Sequence, residues 1–346
     1  MTIKPGAFRF NTDSMKLEIF RGSANYEGTA SMAGIGTLAA GQWEEIQATS
    51  PDVQTGGTLG IIAGGWTNPA PTDIDKIQIS TTGNSVDYGD LSAARYAMCS
   101  ASDRTRGVFA GGRNDPSPAA ATTTTDFIAI ASGGTAISFG SLVTSTDAGT
   151  KGNLGNSTRG IFARLESDEM RYITIQSTGD AVIFGDLIDN DASGSAVTCS
   201  PTRGLVFGGT PRQNIDYITT ATLGHASDFG DLTIAARNSS GNSNAVRSVM
   251  QLGTGPSNPA GVGSNIMEYV TTATLGNSKD FGDCAAFRSR GCCSSPTRGV
   301  FAGGSDPGTN IIDYVQIMST GDAIDFGDLD RVTESPGSCS NGHGGL

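Results

Sequence analysis

An aromatic residue followed by glycine, and usually by aspartate, recurs six times along this chain at nearly even intervals. Successive aromatic residues lie 51, 45, 45, 52 and 45 positions apart. The six pairs are Tyr88-Gly89, Phe139-Gly140, Phe184-Gly185, Phe229-Gly230, Phe281-Gly282 and Phe326-Gly327. A fixed period in this range indicates a repeat architecture. Features common to every unit therefore belong to the scaffold, and features that differ between units are where function is sought.

Each unit contains four strand-sized segments separated by turn residues. In the last complete unit these segments are 291–295, 297–304, 312–317 and 323–329. A Thr-Gly-Asp sequence separates the last two, and glycine there supplies the positive φ that tight hairpins need. Four antiparallel strands per unit, repeated six times, predict a β-propeller, in which each small sheet is buried against its neighbours.

The ends of the repeat predict how the ring closes. Residues 337–342 resemble the first strand of a unit, whereas the first unit begins only at its second strand, near Thr58. We therefore expect the C-terminal segment to supply the missing strand of the first blade. The prediction is an all-β chain, with a small N-terminal β module at 1–50 and a six-bladed propeller of four-stranded antiparallel blades at 51–346.

Composition agrees with this fold class and limits the partners. The chain has 346 residues, of which 49 are glycine and 16% are charged, and this favours many short strands over a helical bundle. No stretch approaches the roughly 20 apolar residues that span a bilayer, and residues 1–10 lack a secretory pattern. The net charge is −12 without a Lys/Arg block. We expect neither membrane insertion nor nucleic-acid binding, and synthesis in a cytoplasm.

The cysteines do not form a zinc-binding pattern. Six are present, and the adjacent pair Cys292-Cys293 has no second Cys or His pair at a suitable spacing. Four cysteines stand at similar places in different units, which lie apart around a ring: Cys99, Cys199, Cys293 and Cys339. Free, buried thiols are favoured over disulfides.

Two resemblances cover most of the chain. The double glycine of the second strand and the aromatic residues of the third and fourth strands resemble the kelch repeat, with Tyr/Phe-Gly-Asp replacing the usual Trp. Segments such as 298–304 and 217–224 are similar to kelch-like repeats of virion proteins from phages, notably marine ones. Arg9-Phe10-Asn11-Thr12, Leu17-Glu18-Ile19-Phe20 and Gly41-Gln42-Trp43 resemble a small module of bacteriophage tail fibres, which commonly trimerises.

The resemblances imply a virion structural protein without enzymatic activity. We expect a tail-fibre or receptor-binding subunit whose N-terminal module contacts other virion proteins and forms a homotrimer. The propeller is then expected to present variable loops to a host surface glycan or protein. The alternatives are a capsid, neck or baseplate decoration protein and, ranked last, a glycan-degrading tailspike. The expected location is the virion.

Catalytic chemistry is poorly supported by the residues available. The chain has two histidines, His225 in a turn that carries Asn or Asp in other units and His343 in a glycine-rich tail. We expect no Ser-His-Asp triad, no histidine metal site and no cofactor. Glycoside hydrolysis needs only two carboxylates, and 34 acidic residues do not exclude it.

The repeated charged residues are predicted to be structural. One set follows the aromatic-Gly pair: Asp90, Asp186, Asp231, Asp283 and Asp328. The other opens the second strand: Arg106, Arg159, Arg203, Arg247 and Arg298. A residue repeated in five blades cannot mark one asymmetric site. Hydrogen-bonded Asp turns, or Asp–Arg pairs that tie blades together, are the expected roles.

The loops that break the repeat are the predicted binding surface. In a four-stranded antiparallel blade, the loops from strand two to three and from strand four to the next blade leave on the same face, and both vary here. The candidate binding residues are Trp66, Arg113, Asp115, Arg212 and Asn214, and Trp and Arg are favoured at contact hot spots. The alternative is that these loops are solvated tips. Asp189-Asn190-Asp191 has cation-binding oxygens but lacks the later Glu of a calcium loop.

Overall fold

The computed structural model describes residues 7–11, 16–21, 42–45, 57–67, 70–114, 120–146, 150–163, 167–189, 192, 194–209, 212–255 and 263–346. Regular structure in these ranges is entirely β-strand. The described residues contain no helical segment with the length and hydropathy of a membrane span. The chain divides into two compact units, Met1–Pro51 and Asp52–Leu346. Candidate residue Asp115 lies outside the described residues.

The first unit contains one small antiparallel sheet. Its strands are Phe8–Asn11, Lys16–Arg21 and Gln42–Glu45, and they pair in chain order. The pairing joins Phe8 to Ile19 and Phe20 to Trp43. The three strands lie where the sequence pattern predicts them. The role of this unit in attachment and trimerisation stays a prediction.

The second unit is a six-bladed β-propeller, as predicted. Strands are given from the axis outward. Blade 1 contains Gly337–Ser340, Leu59–Ala63, Asp73–Gln78 and Val86–Asp90. Blade 2 contains Cys99–Ser102, Arg106–Ala110, Thr122–Ala129 and Ile137–Thr146. Blade 3 contains Arg159–Ala163, Glu169–Thr174 and Val182–Asp186 as its second, third and outer strands.

Blades 5 and 6 are four-stranded antiparallel sheets, and blade 4 has the same four strands with one short parallel strand added at its inner edge. Blade 4 contains Ala196–Cys199, Arg203–Phe207, Arg212–Thr219 and Ser227–Ala236. Blade 5 contains Ser240–Ser243, Arg247–Gln251, Ile266–Thr271 and Lys279–Asp283. Blade 6 contains Gly291–Ser294, Arg298–Ala302, Thr309–Gln316 and Ile324–Thr333. Two short strands, Arg95–Tyr96 and Arg113–Asn114, pair beside blades 1 and 2.

The C-terminal strand completes blade 1. Gly337 pairs with Ala63 and Ser340 with Gly60, in the antiparallel register of the other inner strands. The side chain of Asn341 then accepts a hydrogen bond from the Leu59 N–H at 2.9 Å. In blade 2 the Asp103 carboxylate accepts one from the Arg106 N–H at the same place. The closure thus reproduces a hairpin turn between segments that are distant in sequence.

Strand lengths alternate around the ring. The outer strands of blades 2, 4 and 6 have 10 residues, and those of blades 1, 3 and 5 have 5. The third strands follow the same alternation, with 8 residues against 6. The ring is therefore built from three blade pairs, which the 45-residue period does not reveal.

Blade 3 departs from the pattern at the axis. Lys151–Gly152, where its inner strand is expected, pairs in parallel with the inner strand of blade 4. This segment contacts the inner strands of all five other blades. Asn153 accepts a hydrogen bond from the Ser102 hydroxyl and donates one to the Ser338 carbonyl. Backbone from one blade therefore fills the centre of the ring.

The apolar core lies between blades. One cluster joins Ile62 and Ile77 of blade 1 to Val300 and Ile312 of blade 6. The others join successive neighbours in the same way. The second strands contribute to every cluster and are covered on both faces, as their nearly continuous burial shows. Burial of apolar surface of this kind contributes about 25 cal/mol per Å².

The aromatic-Gly pair forms a contact between neighbouring blades, which we call the seam. In each blade the carbonyl of the aromatic residue accepts a hydrogen bond from a glycine N–H in the turn of the next blade. The N–H to carbonyl pairs are Gly134 to Tyr88, Gly179 to Phe139, Gly224 to Phe184, Gly276 to Phe229, Gly321 to Phe281 and Gly83 to Phe326, at 2.7–3.1 Å. A second backbone bond follows two residues later in all six places, for example from Ala226 to Asp186 at 2.8 Å.

The seam explains why glycine follows the aromatic residue. Gly185 has φ +157° and its Cα faces the carbonyl of Gly224, so a Cβ there would overlap that oxygen. The equivalent glycines meet the next turn in the same way. The aromatic ring itself packs edge-to-face on the third-strand aromatic of its own blade, as Phe184 does on Tyr172 at 6.0 Å between centroids.

The repeated arginines also tie blades together, but not through the repeated aspartates. The Arg203 guanidinium lies over the Tyr217 ring at 5.0 Å and donates to the carbonyls of Thr272 and Ala273 in the next blade. Arg106, Arg159, Arg247 and Arg298 make equivalent contacts. The expected pairs with Asp90 and its equivalents are not formed by these arginines. Each guanidinium instead stacks on the third-strand aromatic ring of its own blade and donates to a backbone carbonyl of the next blade.

The cysteines are free, as predicted. Five of the six are buried, and Cys284 is partly exposed. Burial raises the pKa of Cys199, Cys292 and Cys339 to about 12. These thiols are protonated at neutral pH and act as small apolar side chains.

Two glycine substitutions in one seam separate steric contact from backbone strain. Gly185 and Gly224 both have φ +157°, but a Cβ at Gly224 meets nothing within 4 Å. We expect Gly185→Ala to lower the free energy of unfolding by about 1–3 kcal/mol more than Gly224→Ala, since overpacking adds to the φ penalty. Chemical denaturation measures both. Equal losses would show that the close approach at Gly185 contributes nothing.

Candidate functional site

The two faces of the propeller differ in loop length. On one face the turns between third and outer strands have seven residues in every blade: 79–85, 130–136, 175–181, 220–226, 272–278 and 317–323. On the other face the connections between second and third strands are 64–72, 111–121, 164–168, 208–211, 252–265 and 303–308. We call these the turn face and the loop face. The loop face is the one that varies.

The candidate residues on the loop face are spread over three blades. Trp66 is 45% exposed, and its backbone is fixed by a 2.6 Å hydrogen bond from its N–H to the Glu334 carbonyl. Arg113 pairs with Tyr96 in the short two-stranded sheet. Arg212 and Asn214 lie on the third strand of blade 4, not in the preceding loop. Each of these side chains is therefore carried by backbone that is hydrogen-bonded to a neighbouring segment.

Arg212 and Asn214 converge on one carboxylate. Asp189, at the end of blade 3, accepts a hydrogen bond from the Asn214 amide at 2.9 Å and lies 3.3 Å from the Arg212 guanidinium. The three residues border a cavity of about 10 Å³, which has room for about one water molecule. The sequence marked Arg212, Asn214 and Asp189 separately. It did not predict that they meet.

A buried acid at the base of this cavity was missed by the sequence analysis. Asp216 is 7% exposed and belongs to a series of acids on the third strands of blades 1, 2, 4, 5 and 6: Asp75, Asp126, Asp216, Glu268 and Asp313. The signal was available, since four of these acids immediately precede the third-strand aromatic residue and Asp75 precedes Lys76.

Arginine neutralises three members of this series. Asp126 pairs with the fully buried Arg95 at 2.7 Å, and Asp313 with the fully buried Arg290 at 2.6 Å. Asp75 pairs with Arg331 of blade 6 at 3.3 Å, although burial still raises the pKa of Asp75 to about 6. Both buried guanidinium groups also donate to backbone carbonyls, as Arg290 does to Gly303. Removing one partner of such a pair leaves a buried charge and costs about 3–5 kcal/mol.

Asp216 has a different environment. Its Oδ2 accepts a hydrogen bond from the Ile188 N–H at 3.2 Å, whereas Oδ1 has no hydrogen-bond partner in the described part of the chain. Ser195 stands immediately before the inner strand, where blade 6 has Arg290. Burial raises the pKa of Asp216 from its ordinary 3.8 to about 6, assisted by the charges of Asp189 and Asp228.

A second isolated charge lies at the axis. Lys151 is 3% exposed, and its ammonium group donates to the carbonyls of Ser335 and Pro336 at 3.2 and 3.3 Å. Burial lowers the pKa of Lys151 from 10.5 to about 8. The ammonium group is thus held by carbonyl dipoles in the centre of the ring.

The C-terminal tail covers the inner strands on the turn face. His343 is buried, with Nε2 2.8 Å from the Ser102 carbonyl and Nδ1 accepting from the Gly345 N–H. Burial lowers the pKa of His343 to about 4, so the ring is neutral at physiological pH. Together with Lys151–Gly152, this tail occupies the axial region where many propellers have a channel.

The two histidines have separate structural positions, His343 in the buried tail and His225 in a turn. His225 is a turn residue whose Nδ1 accepts from the Asp186 N–H, the place taken by Asn277 and Asp322 in other seams. Among the described residues, no three His, Cys, Asp or Glu side chains are grouped to hold a metal ion.

Comparison with known proteins adds no functional assignment. No protein-family model and no curated protein matches this chain.

Conservative substitution of two equivalent acids tests their different environments. The pKa of Asp216 is about 6 in the folded protein and 3.8 in the unfolded chain. The stability that its protonated carboxyl group provides below pH 3.8 is therefore lost as the pH rises through about 6. Ionised Asp216 therefore destabilises the protein at pH 7, and we expect Asp216→Asn to raise the free energy of unfolding by about 1–3 kcal/mol. Asp313→Asn is expected to lower it by about 3–5 kcal/mol.

Chemical denaturation at pH 7 and pH 4 measures both variants. The gain from Asp216→Asn disappears at pH 4, because the natural side chain is then protonated in the folded state. Equal destabilisation by the two substitutions would contradict this account of Asp216.

Replacing the axial lysine tests the cost of burying its charge. Because the folded-state pKa of Lys151 is about 8 and the unfolded value 10.5, stability of the natural protein rises with pH across that window. We expect Lys151→Met to raise the free energy of unfolding at pH 7 by up to about 3 kcal/mol. The difference from the natural protein vanishes near pH 10.5 in denaturant titrations. A less stable Met variant would show that the two carbonyl bonds outweigh the burial cost.

Proposed function

We propose that this protein is a non-enzymatic virion component, a tail-fibre-like receptor-binding subunit of a bacteriophage. Its propeller presents the loop face to a glycan or protein on the host surface, and the N-terminal unit attaches it to other virion proteins as a homotrimer. The observation that carries the proposal is the contrast between invariant seven-residue turns and connections of unequal length on the opposite face. Binding loops commonly vary on a rigid scaffold in this way.

The virion assignment rests on sequence resemblance. The kelch-like order of glycine and aromatic residues and the Arg-Phe-Asn-Thr motif at 9–12 support it. The loop face adds chemistry suited to recognition, because the exposed Trp66 and the cation-bearing Arg113 and Arg212 are residue types enriched at contact hot spots.

A decoration role on the capsid, neck or baseplate is the second candidate. Exposed apolar side chains recur at the start of the outer strands, as at Val86, Ile137, Val182 and Ile324, each at least 50% exposed. Exposed apolar surface of this kind favours a protein neighbour. In that role the rim of the propeller contacts other virion proteins, and locating the propeller in an assembled particle separates the two functions.

Competition with phage adsorption tests the receptor-binding role. Purified protein is expected to bind host cells and reduce adsorption, and Trp66→Ala or Arg113→Ala is expected to weaken that competition about tenfold, equivalent to about 1.4 kcal/mol. Leu223→Ser is the matched control, since Leu223 is 56% exposed on the turn face. The proposed orientation would be rejected if Leu223→Ser abolished the competition and the loop-face variants retained it. Release of reducing sugar from host polysaccharide would instead indicate a glycan-degrading enzyme.

A further inference from the structure

Blades 4 and 6 differ at one position beside an otherwise equivalent acid. Asp216 and Asp313 occupy the same register, since Ile215 pairs with Phe207 and Ile312 with Ala302. In blade 6, Arg290 donates to the Gly303 carbonyl and pairs with Asp313. In blade 4 the corresponding position is Ser195, whose hydroxyl donates to the Gly208 carbonyl at 3.1 Å.

The blade 4 cavity therefore has the acceptors of a cation site. It is lined by Asp216, Gly208 and Ser195, and the Oδ1 atom of Asp216 is buried without a hydrogen-bond partner among the described residues. The homologous carboxylate in blade 6 is bound by a guanidinium of the chain itself. A carboxylate oxygen, a hydroxyl and a carbonyl are together suited to a group with three N–H donors.

We infer that the cavity beside Asp216 is a binding site for a primary ammonium group, of the kind carried by a lysine side chain or an amino sugar. Its volume of about 10 Å³ admits a group the size of one water molecule and is too small for a planar guanidinium. The three N–H bonds point to Asp216 Oδ1, the Gly208 carbonyl and the Ser195 hydroxyl.

The charges around the cavity fit this assignment. Asp189, which lines the same cavity, is paired with Arg212 and Asn214. Asp216 accepts a single backbone hydrogen bond, and the nearby Arg212 charge lowers its pKa less than burial raises it. Asp228, on the adjacent outer strand, adds negative charge without contacting Oδ1. Asp216 is therefore the carboxylate that an incoming cation stabilises most. The ammonium group binds the ionised form of Asp216.

Titration with methylammonium tests the site in the full-length protein. At constant ionic strength, methylammonium is expected to raise the melting temperature and to lower the pKa of Asp216, followed by carboxyl-carbon NMR. The pKa falls by about one unit at a concentration ten times the Kd. Tetramethylammonium, which has no N–H donor, is expected to have no effect. An equal response to tetramethylammonium overturns the proposal.

Two variants with the same charge change provide the control. Asp216→Asn is expected to abolish the response, and Asp228→Asn, which removes an exposed carboxylate beside the site, is expected to retain it. Loss in both variants, or in neither, rejects a specific site, as does a shift produced by potassium alone. Nα-acetyl-lysine amide and glucosamine then distinguish a protein source from an amino sugar. These measurements need no host cell, so they stand or fall separately from the receptor-binding role.

Discussion

The backbone contact between an outer strand and the turn of the next blade is the constraint on which the rest of the ring depends. It is made six times, including once between blade 6 and blade 1, where Gly83 donates to Phe326. Glycine is needed on both sides of the seam. The glycine after the aromatic residue brings its Cα against a carbonyl, and the turn glycine of the next blade takes a positive φ. The seam lies at the turn face and fixes the turns at seven residues, so the loop face is free to vary.

The blades differ in the partners of their buried acids as well as in the lengths of their loops. The third-strand acids are a repeated feature, but each is satisfied differently: by Arg95 in blade 2, by Arg290 in blade 6, and by the Thr233 and Ser278 hydroxyls for Glu268 in blade 5. Asp216 is the member whose carboxylate has neither an arginine partner nor a side-chain hydrogen bond within the described residues. Scaffold positions of this kind acquire function when one copy loses its internal partner.

The sequence predicted the elements that repeat. The position of the aromatic-Gly pair on each outer strand follows from its period, and the free cysteines follow from their equivalent places in separate blades. The six-bladed fold needed no further information. The candidate loop residues were identified by type, but the shared contact of Arg212 and Asn214 with Asp189 depends on how blades 3 and 4 are placed, which a repeat pattern does not contain.

The features that sequence reasoning missed depend on long-range packing. Lys151 reads as part of a polar loop, and only the closed ring places it at the axis against Ser335 and Pro336. Arg95 and Arg290 pair with equivalent acids, but they precede the inner strands of their blades by different numbers of residues. No fixed sequence spacing therefore predicts either pair. The repeated arginines were expected to tie blades, but their acceptors are backbone carbonyls, which carry no sequence signature.

Native-state hydrogen exchange tests the central claim most directly. If the seams hold the ring together, the N–H groups of Gly83, Gly134, Gly179, Gly224, Gly276 and Gly321 exchange only through global unfolding, with the same free energy in all six blades. Amides in the connections of the loop face exchange through smaller openings. Seam amides that exchange as fast as loop-face amides, or a single seam that opens well before the others, would contradict the account.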